Sequence, residues 1–230
     1  YLKVLESQLD AHAKWLRTEL LPRARTTNRL PPELYADNLK NFGVKADPRA
    51  LIDQATLSFV QTREEMQTLA NLVAKERGLP SSDYRDVLAA LRKEAIAEDA
   101  LLPTYQARLA SLEQIVRREM IVSLPERPAV IRLATAAESA AQPAPHLRPP
   151  RLIGNTGESA EFVLTLENPN APPGTKMDDF THDSMTLTLT AHEARPGHEL
   201  QFASMIENGV SIPRAVFAFN SANVEGWALY

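Results

Sequence analysis

The sequence predicts a mainly α fold with a small β component, an α+β protein of packed antiparallel helices beside a short sheet. Three observations lead there. Through residues 1–123, apolar residues recur three to four positions apart, between helix caps and glycine stops. Eleven of the seventeen prolines lie at or beyond Pro125, so long helices should give way to short elements over residues 124–230. Two stretches there, Pro128–Ala134 and Ala160–Leu166, read as strands.

The elements follow in order. Leu2, Leu5, Leu9, Leu16 and Leu20 keep helical spacing until Pro22. A short helix fits Pro32–Phe42, stopped by Gly43. Asp47 caps and Pro48 opens a long helix to about Arg77, stopped by Gly78. Ser82 or Asp83 starts another through Ala95, and Pro103 starts one through about Val122. Leu51, Ala55 and Phe59, and later Leu109, Leu112 and Val116, supply apolar stripes for helix packing. These helices show no chemistry, and a partner-binding scaffold fits them equally well. Ala136–Pro150 is small and Pro-rich, either a loop lining a cleft or a plain crossover.

Composition excludes several classes. The chain has 230 residues, 44% hydrophobic content and a net charge of −4, enough for one or two cores. No apolar run approaches the ~20 residues of a membrane span. No basic face with interleaved aromatics is present, which argues against nucleic acid. There is no cysteine, hence neither disulfides nor thiolate-bound metal, and the compartment stays open between export and the cytoplasm. No internal repeat is visible. The chain starts without Met, already in a helical pattern, and stops inside another. It is expected to be an internal fragment of a larger protein.

The chemistry concentrates in His192-Glu193-Ala194-Arg195-Pro196-Gly197-His198. Two histidines, an adjacent Glu and a distant Glu225 are the parts of a zinc hydrolase site. In His-Glu-x-x-His the histidines stand four apart on one helical face. A separation of six leaves them ~120° apart around a straight helix and ~9 Å along it, too far to share an ion. Pro196-Gly197 offers a remedy, a distortion between Arg195 and His198 that lets the imidazoles converge. The residues also allow a plainer reading, in which Pro-Gly ends one helix, His192 is a polar core residue and His198 caps the next. Met185–Thr190 alternates like a strand. A helix from Asp183 or Ser184 through Glu193 is preferred, because Met185, Leu189 and His192 then share a face. Leu200, Phe202, Ala203, Met205 and Ile206 continue a helical pattern to Asn208-Gly209. The motif is therefore expected on a kinked, buried helix.

These residues carry a resemblance. His-Glu-Ala-Arg-Pro-Gly-His-Glu-Leu-Gln (192–201), Phe219-Asn220-Ser221 and Glu225-Gly226-Trp227-Ala228-Leu229-Tyr230 are similar to blocks of the bacterial DUF885 family. So are Ala137–Ala141, Pro143–His146, Arg151–Gly157, Glu161–Leu164 and Met177–Thr181, with a weaker echo at Pro31–Tyr35, Leu39-Lys40 and Gly43. The family is regarded as gluzincin-like zinc metallopeptidases. The resemblance implies a zincin-like fold and one Zn2+ ion held by His192, His198 and Glu225, with Glu193 as general base. It also implies downstream segments that complete the cleft and stabilise the transition state. A solvated helix residue is the alternative for Glu225, although its apolar neighbours favour burial.

Further roles are assigned by analogy. Phe162-Val163-Leu164 would be the edge strand that receives an extended peptide. Asn155 would bind substrate or simply build a turn, and Tyr230 would polarise a carbonyl or pack. Asp178, Asp179, Glu199 and Glu207 are candidates to orient the histidines. His146 is left out of the ligand set. The expected function is zinc-dependent hydrolysis of peptide bonds, with a peptide as partner. The alternatives are a metal hydrolase of non-peptide amides or esters and an inactive helical binding protein. Oligomeric state is not legible.

Overall fold

The computed structural model describes residues 1–165, 172 and 179–230 and has two compact units, Tyr1–Asp47 and Pro48–Tyr230. In the first unit, α1 (Leu2–Trp15) runs on through a π turn (Leu16–Leu20) into a 3₁₀ turn (Leu21–Arg23) at Pro22. Then comes α2 (Pro32–Asn41), closed by Gly43 at φ +70°. Neither helix has a buried residue.

The second unit opens with α3 (Pro48–Arg77), which starts at the predicted proline and stops at Gly78. Ala70 and Ala74 pack with Val87 of α4 (Tyr84–Leu91). The expected stripe of Leu51, Ala55 and Phe59 does not form a core, and Phe59 is exposed. Asp83 caps α4 by accepting from Arg85 N. That helix stops short of the expected Ala95, because residues 94–96 pair with 181–183. Ile96 N donates to Thr181 O at 2.7 Å, and Ala95 bridges His182.

Helix α5 (Glu98–Glu119) begins before Pro103, the expected start, with Glu98 and Asp99 in its first turn. Acidic groups there complement the helix dipole, and the proline is tolerated inside. Leu101, Tyr105 and Leu109 of α5 face the small sheet. Strand β1 (Val130–Leu133) runs parallel to β3 (Glu161–Leu164), and β2 (His146–Arg148) pairs antiparallel with the other side of β3. Between them, α6 (Ala136–Ala141) is opened by a capping box. Thr135 Oγ1 accepts from Glu138 N, and Glu138 accepts from Thr135 N. The stretch read as a loop or crossover thus holds a helix and a strand.

Phe162, Val163 and Leu164 are buried, with Phe162 edge-on to Tyr105 at 5.6 Å between ring centres. Leu189 of α7 (Asp183–Glu193) completes this core. A parallel strand covered on both faces reads as the continuous apolar run seen here. The change of character near Leu124 does not split the core, since α5 packs on both α7 and β1. The chain ends through α8 (His198–Asn208), α9 (Ile212–Phe217) and α10 (Ser221–Leu229). No helix among the described residues is long and apolar enough to cross a membrane.

Candidate metal centre

The Met185–Thr190 run is helical. Leu189 is buried and Met185 packs against the same core, while Thr186 and Thr190 are buried with their hydroxyls returned to backbone carbonyls. This anchored face carries His192 at the end of α7. The helix then breaks more completely than a kink. Residues 194–197 form a turn, the Arg195–Pro196 peptide is cis, and α8 starts at His198. Gly197 N donates to Ala191 O at 2.9 Å, so the path spans six residues instead of four. A Cβ on Gly197 would lie 1.8 Å from the carbonyl oxygen of His192, which leaves room for no side chain.

The break brings the histidines together. His192 Nε2 and His198 Nε2 are 3.1 Å apart, and each lies 3.5 Å from Glu225 Oε2. Among the described residues, these three form the one group of ligand-type side chains close enough to hold a metal ion. The three separations put their common centre ~2.0 Å from every atom, within the range of Zn–N and Zn–O bonds. The donor set therefore fits zinc. Burial and the neighbouring His192 hold the His198 pKa below its ordinary value, against Glu225, so its neutral, ligating form is favoured.

Glu193 is not one of the three converging side chains. Its Oε2 accepts from Leu147 N of β2 at 2.9 Å. Burial, with help from Glu225 and against the Leu147 N–H, pushes its carboxyl up to about 7. That value suits proton exchange near neutrality.

Several supporting residues were not legible. Arg195 is buried in the turn and donates to Glu199 Oε2 (2.5 Å), Glu113 Oε1 of α5 (2.7 Å) and Arg127 O (2.6 Å). It ties the break to α5, and a buried ion pair of this kind is costly to open. Trp227 Nε1 reaches from α10 to the carbonyls of Pro196 (3.0 Å) and Gly197 (3.1 Å). An Arg within a motif and a Trp after a Glu both read as ordinary surface or packing residues.

Some expectations are corrected. Phe162-Val163-Leu164 is not an edge, because β3 is central and paired on both sides. The edges are β1 and β2. Asn155 builds its loop. Its Nδ2 donates to Arg151 O and Glu158 O, and its Oδ1 accepts from Gly157 N, which leaves it no free donor for a substrate. Glu225 is half exposed, at 58% of its side chain. Tyr230 is exposed. Asp179 pairs with Arg92, Glu199 with Arg195, and Glu207 with Arg127 and the N–H groups of Glu126 and Arg127. Asp178 lies outside the described residues. His146, in β2, bonds the Ala144 carbonyl through Nδ1 and is not one of the three converging side chains.

Fold and cluster together define a mainly helical protein with a small three-stranded sheet and a converging His-His-Glu trio. The chain belongs to the DUF885 family, bacterial proteins of unknown function, which matches residues 2–230. One similar solved structure is described as "a putative lipoprotein of unknown function" from Shewanella oneidensis. It is 21% identical at a TM-score of 0.66, covering 97% of this chain and 40% of that one. Another, a lipoprotein so described from Colwellia psychrerythraea, is 21% identical at 0.68, covering 92% and 36%. The chain thus spans well under half of each. No curated protein is similar enough to match.

Proposed function

We propose that this protein is a zinc-dependent peptidase. The observation that carries the reading is the triangle of His192 Nε2, His198 Nε2 and Glu225 Oε2, whose centre lies at zinc-bonding distance from all three. When bound there, zinc supplies a Lewis acid that acidifies water and polarises a carbonyl. Glu193, with its raised pKa, takes a proton from the attacking water. It then returns that proton to the leaving amine nitrogen as the C–N bond breaks. The hydrogen bond from Leu147 fixes the carboxylate during both transfers.

The same bond sets where a peptide would lie. Leu147 pairs with Phe162 across the sheet, yet its N–H goes to Glu193. The free edge of β2 therefore faces the general base, and an extended substrate is proposed to add there rather than at β3. A cavity of about 340 Å³, lined by Leu152, Phe202, Met205 and Phe219 together with Arg214 and Asn223, offers room for a side chain. Export belongs to this proposal, because both structural neighbours are described as lipoproteins.

The test is zinc stoichiometry of the intact protein, followed by a panel of peptides and small esters. Zinc binding with peptide hydrolysis supports the proposal. Cleavage of esters alone moves the function to a non-peptide hydrolase, and failure to bind zinc after reconstitution favours a helical binding protein.

A further inference from the structure

Two buried groups in the site have no partner among the described residues, and they complement each other. His198 Nδ1 is one and Gln201 Oε1 is the other. His198 turns its Nε2 toward His192 and Glu225, so as a ligand it keeps its proton on Nδ1 and needs an acceptor there. Gln201 stands three residues further along α8, on the same helical face. The residues are 6% and 8% exposed, too buried for bulk water to satisfy both. The carboxylates nearby are committed elsewhere, Glu199 to Arg195 and Glu207 to Arg127. The other end of Gln201 is engaged too. Its Nε2 donates to Asn223 Oδ1 at 3.4 Å, two residues before Glu225 on α10.

We propose that Gln201 is the positioning residue of the centre, with its Oε1 accepting the Nδ1–H of His198 directly or through one buried water. One amide then fixes the tautomer and ring angle of His198 while its Nε2 holds the helix that delivers Glu225. This inference rests on the zinc reading and adds to it the residue that sets ligand geometry.

The experiment compares Gln201→Leu and Gln201→Glu in the intact protein. Zinc affinity is measured by competition with a chelating indicator, the visible spectrum is recorded after cobalt substitution, and folding is followed by circular dichroism. Gln201→Leu loses the acceptor and is expected to bind zinc ~10–100-fold more weakly, with an altered cobalt spectrum. Gln201→Glu keeps the acceptor, and the Asn223 amide can turn its Nδ2 toward the new carboxylate in place of the lost donor, so zinc affinity is expected to stay within a few-fold of wild type. A merely structural role would destabilise the variants without separating their zinc affinities. A folded Gln201→Leu that binds zinc as tightly as wild type overturns the inference, and so does a Gln201→Glu as weak as Gln201→Leu. Should Gln201→Leu fail to fold, the Nδ1–H of His198 in wild type decides by nitrogen-edited NMR. A slowly exchanging, hydrogen-bonded proton supports the proposal and a freely exchanging one overturns it. Wild type without any zinc affinity removes the zinc reading itself, a result distinct from an unchanged variant.

Discussion

The indole nitrogen of Trp227 lies 3.0 Å from the carbonyl oxygen of Pro196. Through that contact the helix bearing Glu225 is fastened to the turn that separates His192 from His198. Replacing Trp227 by Phe keeps the ring but removes the donor to two carbonyls. The loss is expected to cost about 1 kcal/mol of stability and to weaken zinc binding several-fold. Thermal unfolding and chelator competition measure the two effects. Unchanged zinc affinity would mean that the indole does not help place Glu225.

Gly197→Ala is predicted to be much more severe. The added methyl would sit 1.8 Å from the backbone oxygen of His192, so the turn must open. A destabilisation of ~2–4 kcal/mol is expected, and zinc should bind poorly even where the variant still folds. Denaturant titration with and without zinc measures both losses. A stable Gly197→Ala with native zinc affinity contradicts this geometry.

Glu193→Gln should separate binding from chemistry. The variant keeps all three ligands and is expected to hold zinc, while turnover falls by ~10²–10⁴-fold. Undiminished hydrolysis would reject Glu193 as the base.

The pH dependence of the metal-free fold carries two opposing signs. Glu207 is held below the ordinary carboxylate range, chiefly by the N–H of Arg127. Its contribution is present above the unfolded pKa and is lost as pH falls through the lower folded value. Glu193 is raised to about 7 by burial, so its cost to the fold grows as pH climbs from the unfolded value of ~4.3 toward 7 and is constant above. Metal-free Glu193→Gln should therefore exceed wild type in stability at pH 8 by ~1–3 kcal/mol and match it near pH 4. Unfolding curves at the two pH values provide the comparison.

The sequence made the helix borders legible wherever a local rule acts alone. Pro48 opens α3 and Gly78 closes it, Asp83 caps α4, and Gly209 ends α8. Borders set by distant contacts were not legible. Helix α4 ends early because residues 94–96 are drawn into pairing with 181–183. In the site, spacing arithmetic required a distortion between Arg195 and His198, and one is present, although as a full break between two helices. The edge strand differs from the expected Phe162-Val163-Leu164 for a physical reason. A central strand and an apolar edge strand share the pattern of Phe162-Val163-Leu164, and only pairing partners distinguish them. The true edge, His146–Arg148, was hidden by flanking prolines. The capping box of α6 just before it, Thr135 with Glu138, is a readable signal that marks a helix in this stretch.

The exposure of the three converging side chains is graded. It falls from 58% at Glu225 to 24% at His192 and 7% at His198. The centre consequently has a floor and a mouth. His198, the first residue of α8, forms the floor, and Glu225 stands at the rim. Glu225 is the most exposed of the three, so a change there is expected to alter access as well as affinity.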